Sequence, residues 1–174
     1  MFPSSPPSSR TRSEATTASY RFLTTWLLDA PRQEAWDVLA DCESWPRWWH
    51  GVEAVDEVRP GDGRRVGSAY RVTWRAPVVP YRVRFDFHVD GVDEPRSMAG
   101  HARGALEGGG CWRLFEDDGV CAVTFDWEVH TTHAWMNALA PLARPVFTRS
   151  HDRLMRRGGR DLARRMGVRL LAAG

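Results

Sequence analysis

The clearest pattern in the chain lies between residues 81 and 90. Tyr81, Val83, Phe85, Phe87 and Val89 alternate with Arg82, Arg84, Asp86, His88 and Asp90. A period of two with one apolar and one charged side predicts an antiparallel strand buried on one face and wet on the other. Tyr70, Val72 and Trp74 alternate with Arg71, Thr73 and Arg75 in the same way, and the segment APVVP ends that strand. Upstream, SYRFLTTWLL at 19–28 is rich in β-formers and reads as the first strand. Pro31 then suits a first helical residue, and Ala35, Trp36 and Leu39 form one apolar face over about three turns. Trp45-Pro46-Arg47-Trp48-Trp49 starts a second short helix or turn. Val52, Ala54, Val55 and Val58 predict an irregular strand that stops at the turn signal PGDG, residues 60–63.

Residues 96–106 predict a weaker strand with Gly100, Ala102 and Gly104 on one face. Residues 110–117 and 120–130 predict a hairpin around Asp118-Gly119, a type I′ signal. A two-residue turn pairs Asp117 with Val120, Leu114 with Val123, Trp112 with Phe125 and Gly110 with Trp127. The large apolar groups then share one face, Phe115 excepted, so turn chemistry and pattern agree on the register.

From about 133 to 168 the period becomes helical. Pro141 and Pro145 predict a short or kinked first part and a continuous helix from about 145. At about 100° per residue, Phe147, His151, Leu154, Gly158 and Leu162 share an apolar face. Arg149, Arg153, Arg156, Arg160 and Arg164 lie opposite, and Arg165 lands on the apolar side. A glycine at 158 costs roughly 1 kcal/mol against alanine in a helix, so a close approach to the sheet is expected there.

The order is a strand, two short helices, about six more strands and a long amphipathic helix. A sheet with one apolar face needs a cover, and the last helix is the element large enough to supply it. The expectation is an α+β domain over 18–168, a curved antiparallel sheet of about seven strands around that helix. Residues 1–17, rich in Pro, Ser and Thr, are expected to be a disordered tail, and 169–174 a C-terminal tail.

Composition narrows the chemistry. The chain of 174 residues has formal net charge +2, too near neutral to imply a polyanionic partner. All 24 basic residues are arginine, which carries no mechanism by itself. No 18-residue apolar run predicts membrane insertion, and no apolar leader is seen at the start; the cytoplasm is the default expectation. Cys42, Cys111 and Cys121 make no CxxC pair or metal-ligand spacing, and the histidines make no HExxH, so no metal is expected. No nucleotide-binding glycine motif is present, and no cofactor is expected. No aromatic residues interleave with the arginine stripe, which disfavours nucleic acid; the plain reading is a solvated face. Nine tryptophans in a domain this size suggest a ring-lined interior, either as core or around a ligand.

Three local patterns carry a resemblance. The first is Ala30-Pro31, Trp36, Leu39, Asp41, Trp45-Pro46 and Trp48. The second is Gly104-x-Leu106-x-Gly108, followed by Trp112-x-Leu114 and Val123-Thr124. The third is Trp135-Met136, Leu139-Ala140-Pro141, Phe147 and His151-Asp152. Over roughly 18–168 the chain resembles the SRPBCC superfamily, which includes START and polyketide cyclase/dehydrase and lipid-transport proteins. The resemblance implies the helix-grip fold and a cavity for a lipid, quinone, polyketide or hormone. The superfamily shares no catalytic motif, though some members catalyse cyclisation or dehydration.

The candidate ligand-binding residues are Trp49, Tyr70, Trp74, Tyr81, Phe85, Phe87, Trp112, Phe125, Trp127, Phe147 and His151. Gly100, Ala102 and Gly104 would leave room on the same face. His151, mid-face on the last helix, is the best catalytic candidate, as a polar anchor or a general acid/base near neutral pH; the plain alternative is a core histidine bonded to a carbonyl. Trp48 and Trp49 either gate the cavity mouth or pack the short helices. His101 and Arg103 depend on the preceding turn. With a three-residue turn at 107–109, Trp112 pairs with Gly104 and both polar residues face solvent. With a two-residue turn, Trp112 pairs with Ala105 and Arg103 enters the cavity. The first is favoured because the Gly-x-Leu pattern of the resemblance faces inward. Three functions follow: a binder of an apolar or aromatic small molecule, an aromatase/cyclase-type enzyme using His151 with Tyr81 or Tyr70, and an interaction module using the arginine stripe.

Overall fold

The computed structural model describes residues 19–75, 82–132 and 134–174, without the side chains of 134–144. The expected tail at 1–17, the APVVP break and Tyr81 lie outside the described residues. The chain runs β1 (Ser19–Leu28), α1 (Arg32–Ala40), a short 3-10 turn (Cys42–Ser44), α2 (Trp45–Trp48), β2 (Val52–Arg59), β3 (Ala69–Arg75) and β4 (Arg82–Asp93). It continues through β5 (Ser97–Gly104), β6 (Leu106–Asp117), β7 (Val120–Thr131), α3 (Ala134–Met166) and β8 (Leu170–Ala173). The strands form one curved open antiparallel sheet in the order β2-β3-β4-β5-β6-β7-β1-β8. This is the helix-grip α+β arrangement.

Alternation places the core. Trp26 and Leu28 of β1, Val72 of β3, Phe85 of β4, Trp112 and Leu114 of β6, and Val123, Phe125 and Trp127 of β7 are all buried on the inner face. The outer face carries the charges, for example Arg71, whose guanidinium donates twice to Asp86 across β3 and β4 (2.8 and 2.9 Å). The β6–β7 register is the one the Asp118-Gly119 turn requires: Leu114 faces Val123, Trp112 faces Phe125 and Gly110 faces Trp127. Phe115 falls on the outer face and stays exposed.

The β5–β6 register differs from both sequence alternatives. Trp112 pairs with Met98, and Ala102 pairs with Gly108. The chain turns at Gly104-Ala105, where Gly104 takes a positive φ of 122°, rather than at 107–109. The side-chain parity nevertheless sends Met98 and Ala102 inward and Arg103 outward. His101 is on the outer face too, bonded to Asp90 at 2.7 Å and stacked on His88.

Helix α3 is unbroken from Ala134 to Met166, so Pro141 and Pro145 fall inside one helix rather than separating two. Leu154 and Leu162 are buried, and Arg149, Arg153, Arg156, Arg160 and Arg164 are exposed, as the wheel requires. Arg165 is exposed instead of apolar-facing, and Met166 packs on the core there. Gly167, at φ 72°, ends the helix: Val168 N–H donates to Ala163 O and Gly167 N–H to Arg164 O. Residues 170–173, expected within a tail, instead form β8 on the free edge of β1. Arg169 holds the approach through two bonds to the Asp29 carboxylate (2.9 and 2.8 Å). A four-residue run is too short to register as a period in sequence.

Candidate functional site

Two cavities lie on the sheet's inner face, and Trp74 and Trp127 line both. The inner one is enclosed mostly by rings: Tyr70 and Trp74 of β3, Phe85 and Phe87 of β4, Trp112 of β6, and Phe125 and Trp127 of β7. Trp45 and Trp49 close it from the helical side, with Cys42 beside them. The rings stack on one another. Trp112 and Phe125 are parallel at 4.2 Å, and Phe125 and Trp127 at 5.3 Å, while Trp74 meets Phe85 edge-on at 5.0 Å. The free volume left is about 30 Å³, the share of one water molecule. Gly100, expected to leave room, does not: a β-carbon there would run into the His88 carbonyl and lie 2.7 Å from the Phe87 ring.

The outer cavity is larger, about 90 Å³, and its walls are of a different character. Tyr20 and Phe22 of β1, Trp74, Arg75, Val83 and Leu106 meet Phe147, Ser150, His151 and Leu154 of α3. His151 is held there by a parallel stack on Phe22, ring centroids 3.8 Å apart. Its side chain is 10% exposed, and its nearest charged neighbour, Asp152, is 3.8 Å from Nδ1, too far for a hydrogen bond. Among the described residues neither ring nitrogen has a hydrogen-bond partner. Burial pushes His151 down to about 4, with Asp152 acting weakly the other way, so the ring is neutral at pH 7. The Ser150 hydroxyl and the Trp74 Nε1–H are also buried without a partner among the described residues. Buried polar groups are normally hydrogen-bonded. Three such groups lining one cavity leave a polar lining ready for a ligand or for water.

Ten of the eleven sequence candidates line one cavity or the other; Tyr81 lies outside the described residues. They divide, however, into two sets. Tyr70 borders the inner cavity and His151 the outer one, so the structure does not bring that pair together. Trp48 stacks on Trp49 and donates to Ser44 Oγ at 3.2 Å, lining neither cavity. Arg103 points away from both. Sequence reasoning missed Ser150, Arg75, Tyr20 and Phe22. The signal for the last two was the alternation Tyr20, Phe22, Thr24, Trp26, Leu28 along β1, which puts them beside the helix. Among the described residues no group of three potential metal ligands converges, and no helix is long and apolar enough to cross a membrane.

The profile of the family described as "Polyketide cyclase / dehydrase and lipid transport" matches residues 21–167. The chain belongs to that family. No curated protein matches it. Among solved structures, this family member is similar to the Zhui aromatase/cyclase from a Streptomyces species, with 17% identity, 86% of this chain and 94% of that chain covered, and a TM-score of 0.68. It is similar to the di-domain ARO/CYC BexL at 17% identity, covering 87% of this chain and 51% of that one, TM-score 0.68. A START superfamily protein from Mycobacterium smegmatis aligns at 11% identity, 75% and 93% coverage, TM-score 0.57. At these identities the structural likeness establishes the fold. For function, family membership supports hydrophobic-ligand binding or polyketide cyclisation at that coarse level.

Proposed function

We propose that the chain binds an apolar, ring-bearing small molecule in the outer cavity, with one polar group of the molecule meeting His151, Ser150 and Trp74. One observation carries the reading: the neutral His151 imidazole is buried in an apolar wall with both nitrogens unpartnered among the described residues. An unmade buried hydrogen bond costs about 1–3 kcal/mol, which a hydroxyl or carbonyl on the ligand would recover. The apolar body of the ligand gains about 25 cal/mol for each Å² it buries, less the costs of association. Apolar cavities of about 150 Å³ take up a benzene ring, whereas sites for drug-sized molecules run to about 300–1,000 Å³. A cavity of about 90 Å³ is therefore smaller than a benzene site, and a ring-bearing ligand requires Trp74 and Trp127 to move.

Native mass spectrometry of the protein from its own host, repeated after denaturation, tests this. A small molecule seen only in the native run supports the proposal. A clean apo mass, with no thermal shift across a library of small aromatics and lipids, overturns it.

The aromatase/cyclase reading has one observation in its favour: a neutral His151 is a base with a free nitrogen at the cavity wall. The tyrosine that shares this cavity with His151 is Tyr20 of β1, whereas Tyr70 borders the other cavity. Turnover of a linear polyketide substrate that is lost in His151→Leu would favour it over simple binding.

A further inference from the structure

Among the described residues, Trp74 and Trp127 alone line both inner-face cavities, so their indoles form the wall between them. Phe85 stands in the same row of rings, edge-on to Trp74 at 5.0 Å and tilted to Trp127 at 5.9 Å. The two indoles are held unequally. Trp127 lies on β7, with β6 and β1 paired on either side, and is 2% exposed. Its ring also stacks on Phe125 at 5.3 Å and meets Phe87 at 6.2 Å. It lies against the backbone of Gly110, where an added β-carbon would run into the indole. Trp74 lies on β3, next to the edge strand β2, and is 9% exposed. Phe85 is its one ring contact among the described residues. Its Nε1–H is buried with no hydrogen bond among them. Displacing Trp127 breaks three ring contacts, whereas displacing Trp74 breaks one and no hydrogen bond among the described residues.

We propose that Trp74 sets the length of ligand the protein accepts. Its displacement joins the two cavities into one site for a molecule of two fused or linked rings. The polar group of that molecule stays with His151 and Ser150, and its far ring enters the inner cavity beside Met98 and Phe125. The inference rests on the outer cavity being the binding site. Free volumes of about 30 and 90 Å³ are each too small for a ring, so a ligand gains space only at the expense of the wall. The wall yields where it is held least, and the movement falls mainly on Trp74. Beyond it the lining is almost wholly apolar, so a second ring is buried there without a further polar partner.

The test uses phenol and 2-naphthol as one-ring and two-ring probes, followed by NMR in the wild-type protein. Intermolecular NOEs from 2-naphthol are expected to reach Met98 and Phe125, which line only the inner cavity, as well as Phe147 and Leu154, which line only the outer one. Those from phenol stay with the outer pair. With 5-fluorotryptophan incorporated, and resonances assigned by their absence in Trp74→Phe and Trp127→Phe, saturation with 2-naphthol moves the Trp74 signal more than that of Trp127. In Trp74→Ala the wall is gone, and 2-naphthol is expected to associate about tenfold faster and bind about tenfold more tightly, because no closed state has to open first. The wild-type spectra decide the matter if that variant does not fold. Naphthol contacts confined to one cavity, a larger change at Trp127, or an unchanged on-rate in a folded Trp74→Ala each overturn the inference and leave cavity binding standing. Binding of phenol without 2-naphthol does the same. Failure of both probes to bind removes the cavity reading and this inference with it.

Discussion

Gly158 of α3 lies flush against the indole of Trp49, and a β-carbon added to it would stand 2.5 Å from the ring. Trp49 is 1% exposed and closes the inner cavity, with Trp45 and Trp48 packed on its other sides. It has nowhere to retreat. Gly158→Ala would gain about 1 kcal/mol of helix propensity. Overpacking a filled core loses about 1–3 kcal/mol. The expected net effect is a loss of about 0–2 kcal/mol in urea unfolding, with Arg160→Ala on the exposed face near neutral. A stabilised Gly158→Ala would show that the helix–indole contact is looser than the geometry requires.

That contact was legible in part. A glycine in the middle of an apolar helical face signals close approach, but the partner, a tryptophan more than a hundred residues away, is set by tertiary packing. The same division holds across the fold. The β6–β7 register could be read because Asp118-Gly119 fixes the turn and the apolar residues agree. The β5–β6 register could not, because Gly104, Gly108, Gly109 and Gly110 carry no side chains to mark a face. The ring residues of the cavities were visible from alternation. Their separation into two compartments was not, because it depends on how Trp74 and Trp127 fill the space between them. Asp161 was unreadable as a buried group, since a carboxylate among arginines on a helix looks solvated.

His151 should make stability depend on pH. Its pKa lies near 4 in the fold, against an ordinary value near 6.5, because burial disfavours the charged ring. Above pH 6.5 both folded and unfolded chains carry it neutral, and its full contribution is present. As pH falls from 6.5 to 4 only the unfolded chain takes up the proton, so stability is lost through that window. The loss is of order 3 kcal/mol. His151→Phe, which keeps the stack on Phe22, is expected to flatten this part of the profile. An unchanged slope between wild type and variant in pH-dependent urea unfolding would show that His151 is not the group responsible.

Asp161 is 3% exposed, yet it ties α3 to the corner between α2 and β2. Its Oδ2 accepts from the His50 backbone N–H at 3.0 Å and stands 3.1 Å from His50 Nδ1, while Oδ1 accepts from Arg164 at 2.8 Å. The backbone bond positions the residue next to Trp49. Asp161→Ala is expected to lose about 1.5–3 kcal/mol, the range for hydrogen bonds to a charged group. His50→Ala should lose less than half of that, because the backbone bond survives and the imidazole is 60% exposed. Equal losses in thermal or urea unfolding would mean that the side-chain pair, rather than the backbone bond, holds the corner.

Trp74 and Trp45 offer the sharpest contrast within the tryptophan cluster. Trp45 Nε1–H donates to Leu39 O at 3.0 Å, so Trp45→Phe leaves a buried carbonyl short of its donor and is expected to lose about 1–3 kcal/mol beyond the lost ring volume. Trp74 Nε1–H is buried without a partner among the described residues. Trp74→Phe removes an unsatisfied donor together with the volume, and the two effects oppose each other. Its expected cost is under about 1.5 kcal/mol. The same variant should weaken a ligand whose polar group accepts from that N–H, while one that meets only His151 and Ser150 keeps its affinity. If Trp74→Phe instead destabilises the free protein as much as Trp45→Phe, the Trp74 donor is already satisfied there and is not available to a ligand.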